Sequence, residues 1–143
     1  MKILSLIFLT IFLGKGCDEE QKLDMETAVI EYSANTRGYF LKITIKEKMI
    51  SVTKDRNEVK PVFEKISESD SKEIMDAFKA INLDELPNLK APTEKRFYDG
   101  AAIGNLKITY KNRTYETNGF DHGFPPAQIE RLVKKLNSMV KPE

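Results

Sequence analysis

The sequence predicts a two-layer α+β domain, in which a mainly antiparallel sheet of about six strands carries helices on one face. Apolar and polar residues alternate over Tyr39–Lys46, apart from Phe40, which is the period of a half-buried strand. Segments of strand composition follow one another through short turns, which favours antiparallel pairing. Apolar residues then recur at helical spacing in two later segments. The predicted order is a four-strand meander, a helix, a hairpin and a final helix.

The first half of the domain is predicted as the meander. Its four strands are Thr27–Tyr32, Tyr39–Lys46, Met49–Lys54 and Val59–Ile66. Ser33–Gly38 is the first connection, and Glu47–Lys48 is a tight turn. Because proline has no backbone N–H to donate, Pro61 places the fourth strand at an edge of the sheet.

A helix over Asp70–Ile81 is predicted next. Asp70 and Glu73 have the spacing of a capping box, and the apolar residues of the segment repeat at helical intervals, namely Ile74, Phe78 and Ile81. Leu83–Leu89 is predicted as a turn of helix that packs on the core, and Lys90–Tyr98 as the longest irregular connection.

A hairpin and a helix complete the domain. Ala101–Tyr110 and Thr114–Asn118 are predicted to pair around Lys111–Asn112–Arg113. The last helix begins near Pro126, and its apolar stripe consists of Ile129, Leu132, Val133 and Leu136.

The N-terminus has the parts of an export signal. Lys2 precedes an apolar run of 12 residues, Ile3–Gly14, and Gly16 precedes the only cysteine, Cys17. A helix of that run is about 18 Å long, whereas a membrane's hydrocarbon core is about 30 Å thick. We therefore predict a cleaved signal peptide at 1–16, an acidic tether at 17–26 and a single globular domain at 27–143.

Cys17 resembles the acylated cysteine of a bacterial lipobox, although Gly14 and Lys15 stand where Leu and a small residue are usual. With one cysteine the chain cannot form an intrachain disulfide, and acylation would leave no reactive thiol. The resemblance implies a palmitate-bearing lipoprotein of the cell envelope, anchored in the membrane through Cys17, and favours the outer membrane. The alternative is an ordinary signal peptide and a periplasmic or secreted protein.

Charge limits the classes of partner. The chain has 23 basic and 22 acidic residues, and removal of Lys2 and Lys15 with the signal leaves 21 against 22. Because there is no basic excess, we expect no nucleic-acid partner.

The segment Asn118–Pro126 is the main candidate site, since it holds the only histidine beside a carboxylate, two glycines and two aromatic residues. In one interpretation Asp121 and His122 form a metal or acid–base pair that Asp99 approaches. Adjacent residues of an extended chain point to opposite sides, however, and no second His or Cys is present to complete a zinc site. In the other interpretation the segment is a strand-to-helix loop, in which Asp121 accepts local backbone hydrogen bonds.

We predict no catalytic residues, no metal and no cofactor. The predicted binding surface comprises six residues, Phe97, Tyr98, Asp99, Phe120, Asp121 and His122. Phe97–Tyr98, in a charged connection, is the best candidate for an exposed contact.

The layout of the domain resembles that of small lipoproteins of Bacteroidetes. The segments that carry the resemblance are the Asp99–Gly100–Ala101 turn, the hairpin, and the passage from Phe120–Asp121–His122–Gly123 to Pro125–Pro126. The order of its elements also resembles emfourin-type inhibitors of metalloproteases. The leading hypothesis is a non-catalytic, lipid-anchored envelope module that binds a protein or a small molecule. The alternatives are a protease inhibitor acting through Lys90–Tyr98, and a hydrolase-type enzyme around Asp99, Asp121 and His122.

Overall fold

A computed structural model describes residues 27–142 of the chain. The predicted signal peptide, Cys17 and the tether lie outside these residues. Within them, no helix is long and apolar enough to cross a membrane.

The described chain is an α+β domain with an antiparallel sheet, as predicted. The strands are β1 (Val29–Thr36), β2 (Tyr39–Lys46), β3 (Met49–Thr53), β4 (Glu64–Lys65), β5 (Ile103–Tyr110), β6 (Arg113–Glu116) and β7 (Phe120–Asp121). The α-helices are α1 (Glu68–Lys79) and α2 (Glu130–Ser138), and 3-10 turns span Leu83–Asn88, Lys95–Tyr98 and Ala127–Ile129. The strand order is β4-β3-β2-β1-β5-β6, and β7 pairs with the start of β5.

The core lies between one face of the sheet and the two helices. Alternate residues of β1, β2 and β5 are buried there together with the apolar stripes of α1 and α2. On the other face Glu31 lies between Lys42 and Lys107, with N···O distances of 3.4 and 3.9 Å. Because only one face of the sheet is buried against the helices, apolar and polar residues alternate along β2, and this alternation predicted its position correctly.

The first strand is longer than predicted. β1 runs to Thr36, not Tyr32, because it is central and pairs with β2 and β5 along its length. The connection to β2 is therefore only Arg37–Gly38.

The fourth strand is shorter than predicted. Only Glu64–Lys65 of the segment Val59–Ile66 pairs with β3. Pro61 cannot donate to a ladder, and Val59 and Val62 are 88% and 70% exposed.

Helix α1 begins two residues before the predicted start. Its N-cap is Ser67, whose Oγ accepts the Asp70 N–H at 3.1 Å and donates to Asp70 Oδ2 at 2.9 Å. The predicted Asp70–Glu73 capping box is therefore wrong, and Asp70 is the third residue of the helix. Lys135 of α2 then bridges Asp70 and Glu73 at 2.6 and 2.8 Å.

The hairpin and the final helix occur where predicted, with shifted ends. Lys111 and Asn112 both have positive φ, so a two-residue turn joins β5 to β6. Pro126 precedes the 3-10 turn that leads into α2.

Candidate functional site

The predicted site residues lie at one end of the sheet. β7 pairs Phe120 with Gly104 and Asp121 with Ile103, at the end of β1 that is farthest from Val29. The Lys95–Tyr98 turn packs beside β7. Of the six predicted residues, Phe97, Tyr98 and Asp99 are exposed, His122 is partly buried, and Phe120 and Asp121 are buried.

Phe120 is not a surface residue, contrary to the prediction. Its ring packs in the core at 6.2 Å from the ring of Tyr32. The ring also covers Gly104, where an added Cβ would lie 2.8 Å from Phe120 Cε2. Gly104 is therefore the residue that lets this aromatic side chain close the end of the core.

Asp121 is not exposed either, and its carboxylate holds a turn that is distant in sequence. Oδ2 accepts hydrogen bonds from Thr93 Oγ1 at 2.5 Å and the Lys95 N–H at 2.7 Å. Oδ1 accepts the Arg96 N–H at 2.9 Å and Arg96 Nη1 at 3.2 Å. The prediction of local backbone bonds is thus wrong for this side chain, whose donors are 25 to 28 residues away.

The electrostatics of Asp121 follow from these bonds. Burial alone would raise its pKa, but the hydrogen bonds from Thr93, Arg96 and Lys95 outweigh burial and lower the pKa to about 2. The carboxylate is therefore ionised at neutral pH. Glu94, at the N-cap of the turn, makes no side-chain cap, so Asp121 supplies the negative charge at the first N–H groups of the turn.

The turn held by Asp121 presents aromatic side chains to solvent. Phe97 and Tyr98 are 71% and 72% exposed, and Ile103 and Phe124 beside the turn are also exposed. Lys95 Nζ lies 4.1 Å from the Phe124 ring centroid, and Arg96 Cζ lies 4.3 Å from that of Phe97. We call Phe97, Tyr98, Ile103 and Phe124 the aromatic surface. Asp99 ends the turn with a left-handed φ of 58° and is not among the donors or acceptors that hold Asp121.

His122 faces away from Asp121. Its Nδ1 is 2.7 Å from the hydroxyl of Tyr32, and its ring lies 5.6 Å from that of Tyr39. Burial lowers the pKa of His122. Asp121 and His122 therefore have separate partners, and this geometry forms no acid–base pair between them.

The arrangement around His122 opens into a cleft of about 690 Å³. We call it the His122 cleft. Its lining includes Tyr39, Phe40, Leu41, Lys54, His122, Asn137, Val140 and Lys141. In residues 27–142, no three His, Cys, Asp or Glu side chains cluster closely enough to hold a metal ion.

The sequence did not indicate the partners of Asp121 and His122. Thr93, Lys95 and Arg96 belong to an irregular connection, and Tyr32 belongs to a strand assigned to the core. No local pattern links residues this far apart, because only the pairing of β7 with β5 brings them together.

Comparisons with known proteins add no relative: no family profile, curated protein or solved structure matches this chain.

Proposed function

We propose that this protein is a lipid-anchored module of the cell envelope that binds a partner protein through the aromatic surface. The observation that supports the proposal is the exposure of Phe97 and Tyr98 on a turn fixed by four hydrogen bonds to a buried carboxylate. Aromatic residues on a backbone that is already fixed lose less entropy on binding, and aromatic residues are enriched among those that dominate the energy of protein interfaces.

The position of the surface favours a protein over the anchoring membrane as partner. The chain enters the sheet at Val29, and the aromatic surface lies beside the residues that pair with the other end of β1. An eight-residue strand is about 24 Å long from its first to its last residue. An anchor at Cys17 therefore favours a surface that faces away from the lipid.

The binding proposal is tested by a photoreactive phenylalanine analogue placed at Phe97 in the full chain, in native cells. Val59 is the matched control, since it is 88% exposed in another part of the molecule. We expect a discrete protein adduct from position 97 that position 59 does not give. With that partner purified, the double change Phe97→Ala and Tyr98→Ala should weaken binding at least tenfold, and Val59→Ala should not. Adducts with lipid alone, or equal adducts from both positions, would contradict the proposal.

The anchor is tested separately by the intact mass of the membrane-extracted protein. A mature N-terminus at acylated Cys17 is expected, and Cys17→Ser should release the chain from membranes. An unmodified chain cleaved elsewhere would overturn the anchor and leave the binding result intact.

Protease inhibition is the second candidate, because a rigid exposed turn is also what an inhibitor presents. The supporting observation is again the Asp121 carboxylate, whose hydrogen-bond donors all lie within the predicted contact loop Lys90–Tyr98. Titration against a panel of metalloproteases and serine proteases tests it, and absence of inhibition below micromolar concentrations would reject it. The enzyme hypothesis has less support, since both Asp121 oxygens accept internal hydrogen bonds.

A further inference from the structure

We infer that the His122 cleft binds a small organic oxyanion, such as a carboxylate carried on a flat apolar body. The cleft is a different surface from the aromatic surface, and the inference does not depend on the proposed protein partner. It follows from the hydrogen-bond donors and the apolar groups that line the cleft.

The first step concerns the hydroxyl of Tyr32. Burial raises the pKa of Tyr32 to about 12, although the Asn137 side chain acts in the opposite direction. The phenol is therefore protonated at neutral pH. Its oxygen lies 2.7 Å from His122 Nδ1, and we assign the phenol as the donor of this hydrogen bond.

The second step concerns the tautomer of His122. A neutral imidazole that accepts a hydrogen bond at Nδ1 carries its own proton on Nε2. Since Nδ1 faces the buried Tyr32, the Nε2 edge of the ring is the one left for a ligand, and His122 is among the residues that line the cleft. Tyr32 thus acts as a positioning residue that makes His122 a donor toward the cleft.

The third step concerns the charge of the lining. Lys54 and Lys141 both line the cleft, where Lys54 Nζ donates to the Lys141 carbonyl at 3.3 Å and Lys141 Nζ lies 3.4 Å from Glu64 Oε2. Among the described lining residues none carries a carboxylate side chain. Two ammonium groups and an imidazole N–H are donors only, which suits an oxyanion.

The fourth step concerns the remainder of the ligand. The Tyr39 ring stands at 36° to the imidazole, and Phe40, Leu41 and Val140 add apolar lining. A flat apolar group would bury surface against these side chains while its charged end met the donors. An aromatic carboxylate has both parts.

The experiment uses benzoate and its neutral analogue benzamide, with inorganic phosphate as the anion that lacks an apolar body. His122 is the only histidine, so its imidazole signals in an NMR titration of the full chain are unambiguous. We expect an Nε2–H tautomer in the free protein and a saturable shift with benzoate. Benzamide and phosphate should each bind at least tenfold more weakly.

Variants separate a local site from a general charge effect. Lys54→Met should weaken benzoate binding several-fold, whereas Lys46→Met should not, because Lys46 is exposed at the other end of β2 and the change in net charge is the same. An Nδ1–H tautomer, equal shifts with benzoate and benzamide, no saturable shift, or equal effects of the two lysine variants would each overturn the inference. Phosphate that binds as tightly as benzoate would overturn the inference that the ligand carries an apolar body.

Discussion

The Lys95–Tyr98 turn and the His122 cleft depend on two adjacent residues, Asp121 and His122, and are held in different ways. The turn depends on a buried charge, the Asp121 carboxylate, which accepts four hydrogen bonds. The cleft depends on a neutral pair, Tyr32 and His122, joined by one hydrogen bond. Adjacent residues of the chain therefore serve two separate surfaces: Asp121 ends β7, and His122 lies in the turn that follows, in which the Phe124 N–H donates to the Asp121 carbonyl. In the turn, the exposed side chains are distinct from the buried carboxylate that holds them. In the cleft, His122 is both the residue that Tyr32 holds and a residue of the lining.

The largest expected effect is that of Asp121→Ala. The change leaves the Thr93 hydroxyl, two backbone N–H groups and the Arg96 guanidinium without their acceptor, and breaking a buried ion pair costs about 3–5 kcal/mol. The free energy of unfolding from urea titration measures the loss, and limited proteolysis should cut near residues 93–98. A loss under about 1 kcal/mol, as for an ordinary surface substitution, would show that the turn does not depend on this anchor.

The next largest expected effect is the loss of stability in acid. Protonation of Asp121 should cost less than Asp121→Ala, because the carboxyl group stays in place. The pKa of Asp121 is lowered from 3.8 to about 2, so the unfolded chain binds the proton first and stability falls from about pH 4 toward pH 2. The pKa of His122 is lowered from 6.5, so stability is lost as the pH falls below that value.

Urea midpoints between pH 7 and pH 2 measure both windows. His122→Gln should remove the loss that begins near pH 6.5, and Asp121→Asn should reduce the loss below pH 4. Asp70, whose pKa is lowered by its bond to Lys135, accounts for part of the acid loss that remains. Persistence of the upper window in His122→Gln would contradict its assignment.

Tyr32→Phe should have an effect of about 1 kcal/mol, the usual contribution of one neutral hydrogen bond. The change removes the hydrogen-bond partner of His122 Nδ1, which in the inferred tautomer is the acceptor of the Tyr32 hydroxyl proton. The pKa of His122 should therefore rise, and the preference for the Nε2–H tautomer should be lost. NMR titration of the single histidine measures both, and an unchanged tautomer would show that Tyr32 does not position the ring.

The smallest effect on folding is expected for Phe97→Ala combined with Tyr98→Ala. Both side chains are mostly exposed, and substitutions at such positions change stability by about 0.5 kcal/mol or less. Unchanged urea midpoints would confirm that these residues are available for a partner. A loss above about 2 kcal/mol would place them in the fold instead, and the comparison between exposed turn and buried anchor would fail.

Local patterns in the sequence determined much of the architecture. The alternation over Tyr39–Lys46 located β2, and the helical spacing of Ile74 and Phe78 located α1, because burial of one face imposes a period on neighbouring residues. The ends of elements were less well predicted. β1 extends to Thr36 because strands on both sides pair with it, which no local pattern records.

The sequence by itself determined the α+β class, and it correctly predicted that Phe97–Tyr98 is exposed and marked Asp121–His122 as the unusual pair. Only the tertiary structure decided what the pair does. Asp121 meets donors at residues 93–96, and His122 meets Tyr32, 90 residues away, since β7 pairs beside the end of the central strand. Hydrophobic periodicity depends on neighbouring residues, whereas the partners of a buried polar group depend on which distant segments the sheet brings together.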